Sequence, residues 1–205
     1  MLALATVVGA GAAKTQPSTI YVDNAGGYAI AIPKTWQLIP RTQSDVKALI
    51  TKLEKKKSTV ALANFYSTIL ASQAGKSGIA AYRFQAFDWP GSLSQPVPIQ
   101  VSVGITPAKR AYTAKDLPAI GAAFANAFAS NKGAKVTVPK TITLPSGKAE
   151  LIEAAIPIGG GVTNGAELFL IPHGKRLYEL SFQIEASQLA RATLFTSIAQ
   201  HFKLL

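Results

Sequence analysis

The sequence holds two histidines and no cysteine, so the inventory for chemistry is narrow from the start. His173 stands beside Gly174, where it could act as a general base or a metal ligand, but no carboxylate or second histidine lies at ligand spacing. It reads as a solvated turn histidine. His201 falls in the last turn of a C-terminal helix, where an imidazole suits the carbonyl end of the helix dipole. The lack of cysteine excludes disulfides, thiolate zinc sites, cysteine nucleophiles and a lipidated N-terminal cysteine. A serine hydrolase would want its nucleophile on a sharp strand-to-helix turn of the G-x-S-x-G type, which is absent. No catalytic residue, metal ligand or cofactor is assigned.

Glycine-rich segments offer imitations of nucleotide loops. Gly9 and Gly11 mimic the start of a dinucleotide fingerprint, but Lys14 takes the third position and no strand precedes the run. Ala74, Gly75, Lys76 and Ser77 resemble the end of a phosphate-binding loop, yet Leu70 stands where its first glycine belongs and the segment runs from helix to strand. It reads as a helix C-terminus stopped by Gly75. The run GGGVTNG at 159–165 could form an anion nest from backbone N–H groups, and reads more simply as a hairpin tip.

Charge supplies the remaining candidates. Lysine and arginine number 21 against 10 acids, a formal charge of +11, which favours acidic surfaces, anionic lipid headgroups or nucleic acid as neighbours. The basic residues cluster at Lys52 with Lys55, Lys56 and Lys57, at Lys109 with Arg110, and at Lys175 with Arg176. These eight are the candidate contacts for a protein partner or an anionic cell-envelope surface, against the plain alternative of a solvated face. Nucleic acid is not the expected partner, because aromatics are not interleaved with the basic residues on one strand face.

The elements that must carry these residues can be read from periodicity. Tyr28, Ile30 and Ile32 alternate with alanines in a strand that Pro33 ends, and Trp36 opens a second strand to Ile39, together a hairpin. Ser44 can cap a helix with Val46, Leu49, Ile50 and Leu53 on one face, and after Ser58 a second helical stripe joins Leu62, Phe65, Tyr66 and Ile69. Strands are expected over 79–87 and 99–105, separated by WPGSLSQPVP, long enough for a mobile loop. Thr113, Asp116 and Pro118 announce a helix with Leu117, Ile120, Phe124 and Phe128 inward. Strands at 136–138, 141–144, 148–157, 166–172 and 176–184 then form successive hairpins, and Ser187 caps a last helix with Leu194, Phe195, Ile198 and Phe202 on its apolar face.

This order predicts an α+β fold, an antiparallel sheet with helices packed on both faces. Its 205 residues and 48% apolar content fit one domain at 27–205, preceded at 1–26 by a signal-like segment and linker. Residues 2–13 are apolar and then small, and end like a secretory signal, with cleavage after Ala12 or Ala13, although a basic n-region is missing. The expected location is secreted or periplasmic, or cytoplasmic if 2–13 is only a tail. No run reaches the roughly 20 apolar residues of a spanning helix.

The opening GYAIAIPKTW resembles the entry strand, Pro and Trp of PsbP-like α/β/α sandwich domains, a group that includes DcrB-type bacterial envelope proteins and a Ran-binding import regulator. RLYELSFQI followed by ATLFTSIAQHFKLL is similar to the final strand and terminal helix of those domains. The resemblance spans roughly 27–203, with element order alone matching between the two ends. It implies a non-catalytic binding or assembly module, and no family active site to carry over. The chain departs from the DcrB-type lipoproteins in lacking the lipobox cysteine, and is more basic than a periplasmic relative would suggest. The alternatives are a serine hydrolase with an unrecognised site and a cytosolic chaperone or adaptor of the same fold.

Overall fold

The computed structural model describes residues 18–72, 82–191 and 193–205. The signal-like run at 2–13, the AGKS segment with Gly75 and the beginning of the 79–87 strand lie outside them. The chain runs β1 (Ser18–Asp23), β2 (Tyr28–Pro33), β3 (Gln37–Leu38), α1 (Gln43–Glu54), α2 (Val60–Ser72), β4 (Phe84–Phe87), β5 (Gln100–Pro107) and α3 (Leu117–Ala129). It continues through β6 (Lys135–Val136), β7 (Lys140–Leu144), β8 (Gly147–Gly159), β9 (Val162–His173), β10 (Arg176–Glu185), α4 (Thr193–Gln200) and β11 (Lys203–Leu204).

The fold is α+β. Among the described residues every strand pairing is antiparallel, in a large sheet of order β3-β4-β5-β10-β9-β8-β6, with β7 also on β8, and a small one of order β1-β2-β11. Alternation along β10 decides the layering. Tyr178, Leu180, Phe182 and Ile184 face the small sheet and α4, where they join Tyr28, Ile30, Phe195, Ile198 and Phe202 in the main core. Leu177 points the other way, into a second cluster with Ile152, Leu168 and Leu170 that α3 covers with Ile120, Phe124 and Phe128. The α1–α2 hairpin closes a third cluster over Ile39 and Phe87, at the β3–β4 end. Helices therefore lie on both faces of the large sheet, and a second sheet shares one face with α4.

Five local expectations need correction. The linker assigned to the latter part of 1–26 contains β1, paired along its whole length with β2, and its Tyr21 packs its ring 4.7 Å from that of Phe84. The expected hairpin between β2 and the Trp36 segment does not form: β2 is flanked by β1 and β11, and the chain crosses to the large sheet, where β3 pairs with β4. The loop WPGSLSQPVP is packed down, with a 3-10 turn at Gly91–Ser94, Val97 buried, and the Ile99 N–H donating to Ser92 Oγ at 3.1 Å. The last helix starts at Thr193, after a 3-10 segment at Ala186–Arg191, and Phe202 follows the helix while still filling the core. Helix α1 is capped by Thr42, two residues before Ser44, since Thr42 Oγ1 accepts from the Asp45 N–H at 3.1 Å.

Candidate functional site

The eight basic candidates divide into two groups. Pro107 at the end of β5 pairs with Arg176 at the start of β10, and the chain beyond β5 follows the β9–β10 turn, the Ala108 N–H donating to the Lys175 carbonyl and the Tyr112 N–H to the Gly174 carbonyl, both at 2.8 Å. Lys109, Arg110, Lys175 and Arg176 are thereby gathered, all exposed, at one end of the large sheet. Lys52, Lys55, Lys56 and Lys57 sit where α1 ends and the next turn begins. Their hairpin rests on Phe87, whose partner Gln100 lies at the opposite end of β5 from Pro107. A single basic face made of all eight residues is not what the fold builds.

Within the sheet-end group the four cations are not equivalent. Arg110 forms an ion pair with Asp116, whose carboxylate also accepts from the Thr113 N–H and hydroxyl. The Arg110 hydrogen bonds, followed by those from Thr113, hold the Asp116 carboxyl well below its usual range. Arg176 Nη1 donates to the Gly26 carbonyl at 2.9 Å, beside the Tyr178 hydroxyl, which donates to the same oxygen at 2.9 Å. Arg176 thus pins the β1–β2 turn to the large sheet. Lys109 and Lys175 have no ion pair or side-chain hydrogen bond among the described residues.

His173 is exposed at the end of β9, beside Gly174 of the turn, whose φ is +56°, and it lines neither of the two cavities at β8 and β9. His201 Nδ1 lies 2.7 Å from the Ser197 carbonyl, the bond of a ring that closes a helix C-terminus. The glycine run forms the β8–β9 tip, with positive φ at Gly159, Gly160 and Gly161.

A feature that sequence reasoning missed lies midway along β8 and β9. Glu153 of β8 and Glu167 of β9 are direct cross-strand partners, so they share a face. Both line a cavity of about 400 Å³ together with Lys135, Val136, Thr137, Ala154, Ala155 and Leu189. A second cavity of about 360 Å³ shares Lys135 and Ala155 and extends past Thr163 to Glu185 and Ser187. Glu167 is 6% exposed, and its carboxylate has no hydrogen bond or ion pair among the described residues. Burial, reinforced by the charge of Glu153, pushes its carboxyl from 4.5 up to about 7. The roof is set by Gly165, where a Cβ would stand 2.6 Å from Leu189 Cγ; only a glycine lets the 186–191 segment approach the sheet so closely. The overlooked signal was Glu167 itself, a lone carboxylate in the otherwise apolar run AELFLIP of β9.

The protein-family models and the curated proteins give no match to this sequence. Solved structures do. The solution structure of cyanobacterial PsbP (CyanoP) from Synechocystis sp. PCC 6803 is similar with a TM-score of 0.56 at 13% identity, over 98% of this chain and 99% of that one. A crystal structure from Bacteroides thetaiotaomicron VPI-5482 aligns at 0.50 and 8% identity, over 87% of this chain and 45% of that one. The structure of LpqN, involved in cell envelope biogenesis of Mycobacterium tuberculosis, aligns at 0.49 and 11% identity, over 93% and 87%. With CyanoP matched over nearly the whole of both chains, the fold of this protein is PsbP-like.

Proposed function

We propose that this protein is an exported, non-catalytic binding or assembly module of the cell envelope, which docks on a protein or anionic surface through the basic end of its large sheet. The observation that carries the reading is the pair Lys109 and Lys175, exposed side by side on hydrogen-bonded segments and without a counter-charge, in a chain of net charge +11. Such charges act mainly on encounter with a partner of opposite sign. The PsbP-like fold supports the absence of a catalytic role by analogy only, and export rests on the small-residue ending of 2–13.

The test is co-sedimentation with phosphatidylcholine vesicles with and without phosphatidylglycerol, beside crosslinking in intact cells to neighbouring envelope proteins. Binding to one of these anionic targets should weaken with salt and be lost in Lys109→Glu/Lys175→Glu. Retention of all binding by that variant overturns the reading. Cell fractionation, with mass measurement of the mature N-terminus, tests export separately: a chain starting at Met1 in the cytoplasm would refute it.

A further inference from the structure

Glu167 presents a buried acid with no hydrogen bond or ion pair among the described residues, at the wall of a cavity open to ligand. Glu153, its direct cross-strand partner on β8, lines the same cavity. Side chains opposed in this way have Cβ atoms about 5 Å apart, so one cation can reach both. Thr137 does not serve the carboxylates: its N–H donates to the Glu153 carbonyl at 2.9 Å, and its hydroxyl accepts from the Glu153 N–H at 3.1 Å. Ala155 and Leu189 are the apolar groups on the carboxylates' face of the sheet, while Val136 packs with the α3 cluster on the other face. Among the described residues the charged groups lining the site are Glu153 from β8 and Lys135 from β6, with Glu185 in the adjoining cavity. Lys135 forms no ion pair with either glutamate.

We propose that this cavity is a binding site for an organic ammonium group, a protonated primary amine on a short apolar stem, held between the carboxylates of Glu153 and Glu167. An ammonium has three donors and no acceptor, which suits two facing carboxylates. The apolar wall fits a stem and gives nothing to a bare ion. A hard divalent cation wants six or more oxygens, and among the described residues no group of three His, Cys, Asp or Glu side chains is assembled. Binding supplies the counter-charge that Glu167 lacks in the free protein, so it must drive off the proton that burial keeps there.

The experiment is titration of the protein with hexylammonium, carboxyl-labelled glutamate being followed by NMR, with hexanol as the uncharged control. Saturating hexylammonium should lower the titration midpoint of Glu167 by about one pH unit or more. Affinity should rise about tenfold per pH unit below that midpoint and level off above it. Glu167→Gln should weaken binding at least about tenfold, its fold being checked from its amide spectrum. Equal binding of hexanol, no movement of the midpoint at saturation, undiminished binding by Glu167→Gln, or an equal response to calcium would each overturn the assignment. Lysine blocked at both its backbone ends is run in parallel: its tighter binding assigns the ammonium to a partner chain, and tighter binding of hexylammonium assigns it to a free amine. The wild-type titration decides the matter even if the variant fails to fold.

Discussion

Arg83 grips Asp23 through two parallel hydrogen bonds, Nε to Oδ2 and Nη2 to Oδ1, both 2.9 Å long. The residues are 60 apart in the chain, and the pair ties the end of β1 to the segment leading into β4. The Gly26 N–H adds a third bond to Asp23 Oδ1 at 2.8 Å. Gly26 in turn offers its carbonyl to Arg176 and Tyr178. One tight turn therefore connects the small sheet to two strands of the large one, and the whole connection depends on a carboxylate that is 8% exposed.

Asp23→Asn should cost about 2–3 kcal/mol, less than a fully buried pair would lose, since Arg83 keeps 30% of its side chain in water. Burial raises the Asp23 carboxyl, but the hydrogen bonds from Arg83 and Gly26 outweigh it and hold the group below 3.8. Its contribution is therefore present in full above pH 3.8 and is lost as pH falls through the folded value. Urea unfolding across the acid range checks this: the wild type should weaken below about pH 4 more steeply than the variant.

Glu167 has the opposite sign. Its carboxyl stays protonated in the folded chain up to about 7 but ionises near 4.5 once unfolded, so the native state binds the extra proton between those values. Stability falls as pH rises through that window and is level above it, a loss capped at roughly 3 kcal/mol. Glu167→Gln carries no ionisable group, so it should match the wild type near pH 4 and be the more stable protein at pH 8. Unfolding at the two values measures it, and equal stability at pH 8 would show that the carboxylate finds compensation in the fold.

Phe182 tests the core on which the whole layering rests. It is fully buried, stacked on Phe195 with ring centroids 4.6 Å apart and edge-on to Phe169 at 5.7 Å. Truncation to alanine should cost about 3–5 kcal/mol, read as a lowered urea midpoint with little change in slope.

That residue also marks what the sequence makes legible. Strict alternation from Tyr178 to Ile184 identifies β10 and its buried face without ambiguity, because a period of two over many residues has no helical counterpart. The same rule fails at β1, where Asp23, Asn24, Gly26 and Gly27 carry turn chemistry and STIYV is too short and polar to outweigh it. It fails at β11, whose two residues owe their state to β2 alone. The basic residues were visible as charge, but their division followed from which strand ends meet, a long-range pairing that spacing does not encode. The carboxylate cavity was hidden for a related reason: Glu153 and Glu167 become neighbours only through the register of β8 on β9.

The division of the basic residues makes the proposed docking surface separable by mutation. Lys109 and Lys175 are exposed and make no side-chain hydrogen bond or ion pair among the described residues, so Lys109→Glu/Lys175→Glu should leave the unfolding midpoint unchanged while placing two negative charges beside Arg110 and Arg176. Against an anionic partner the association rate should drop more than the dissociation rate rises, since charges at the rim of an interface act on encounter. The difference from wild type should shrink at high salt, where screening over about 8 Å or less removes the long-range attraction. Reversal of Lys55, Lys56 and Lys57, in a hairpin anchored at the far end of β5, should change binding little if the sheet end is the docking site. Surface plasmon resonance of both variants over a salt series distinguishes the two clusters. A loss of association confined to the triple variant would move the docking surface to the end of α1, and an affinity indifferent to salt and to both variants would remove charge from the interaction altogether.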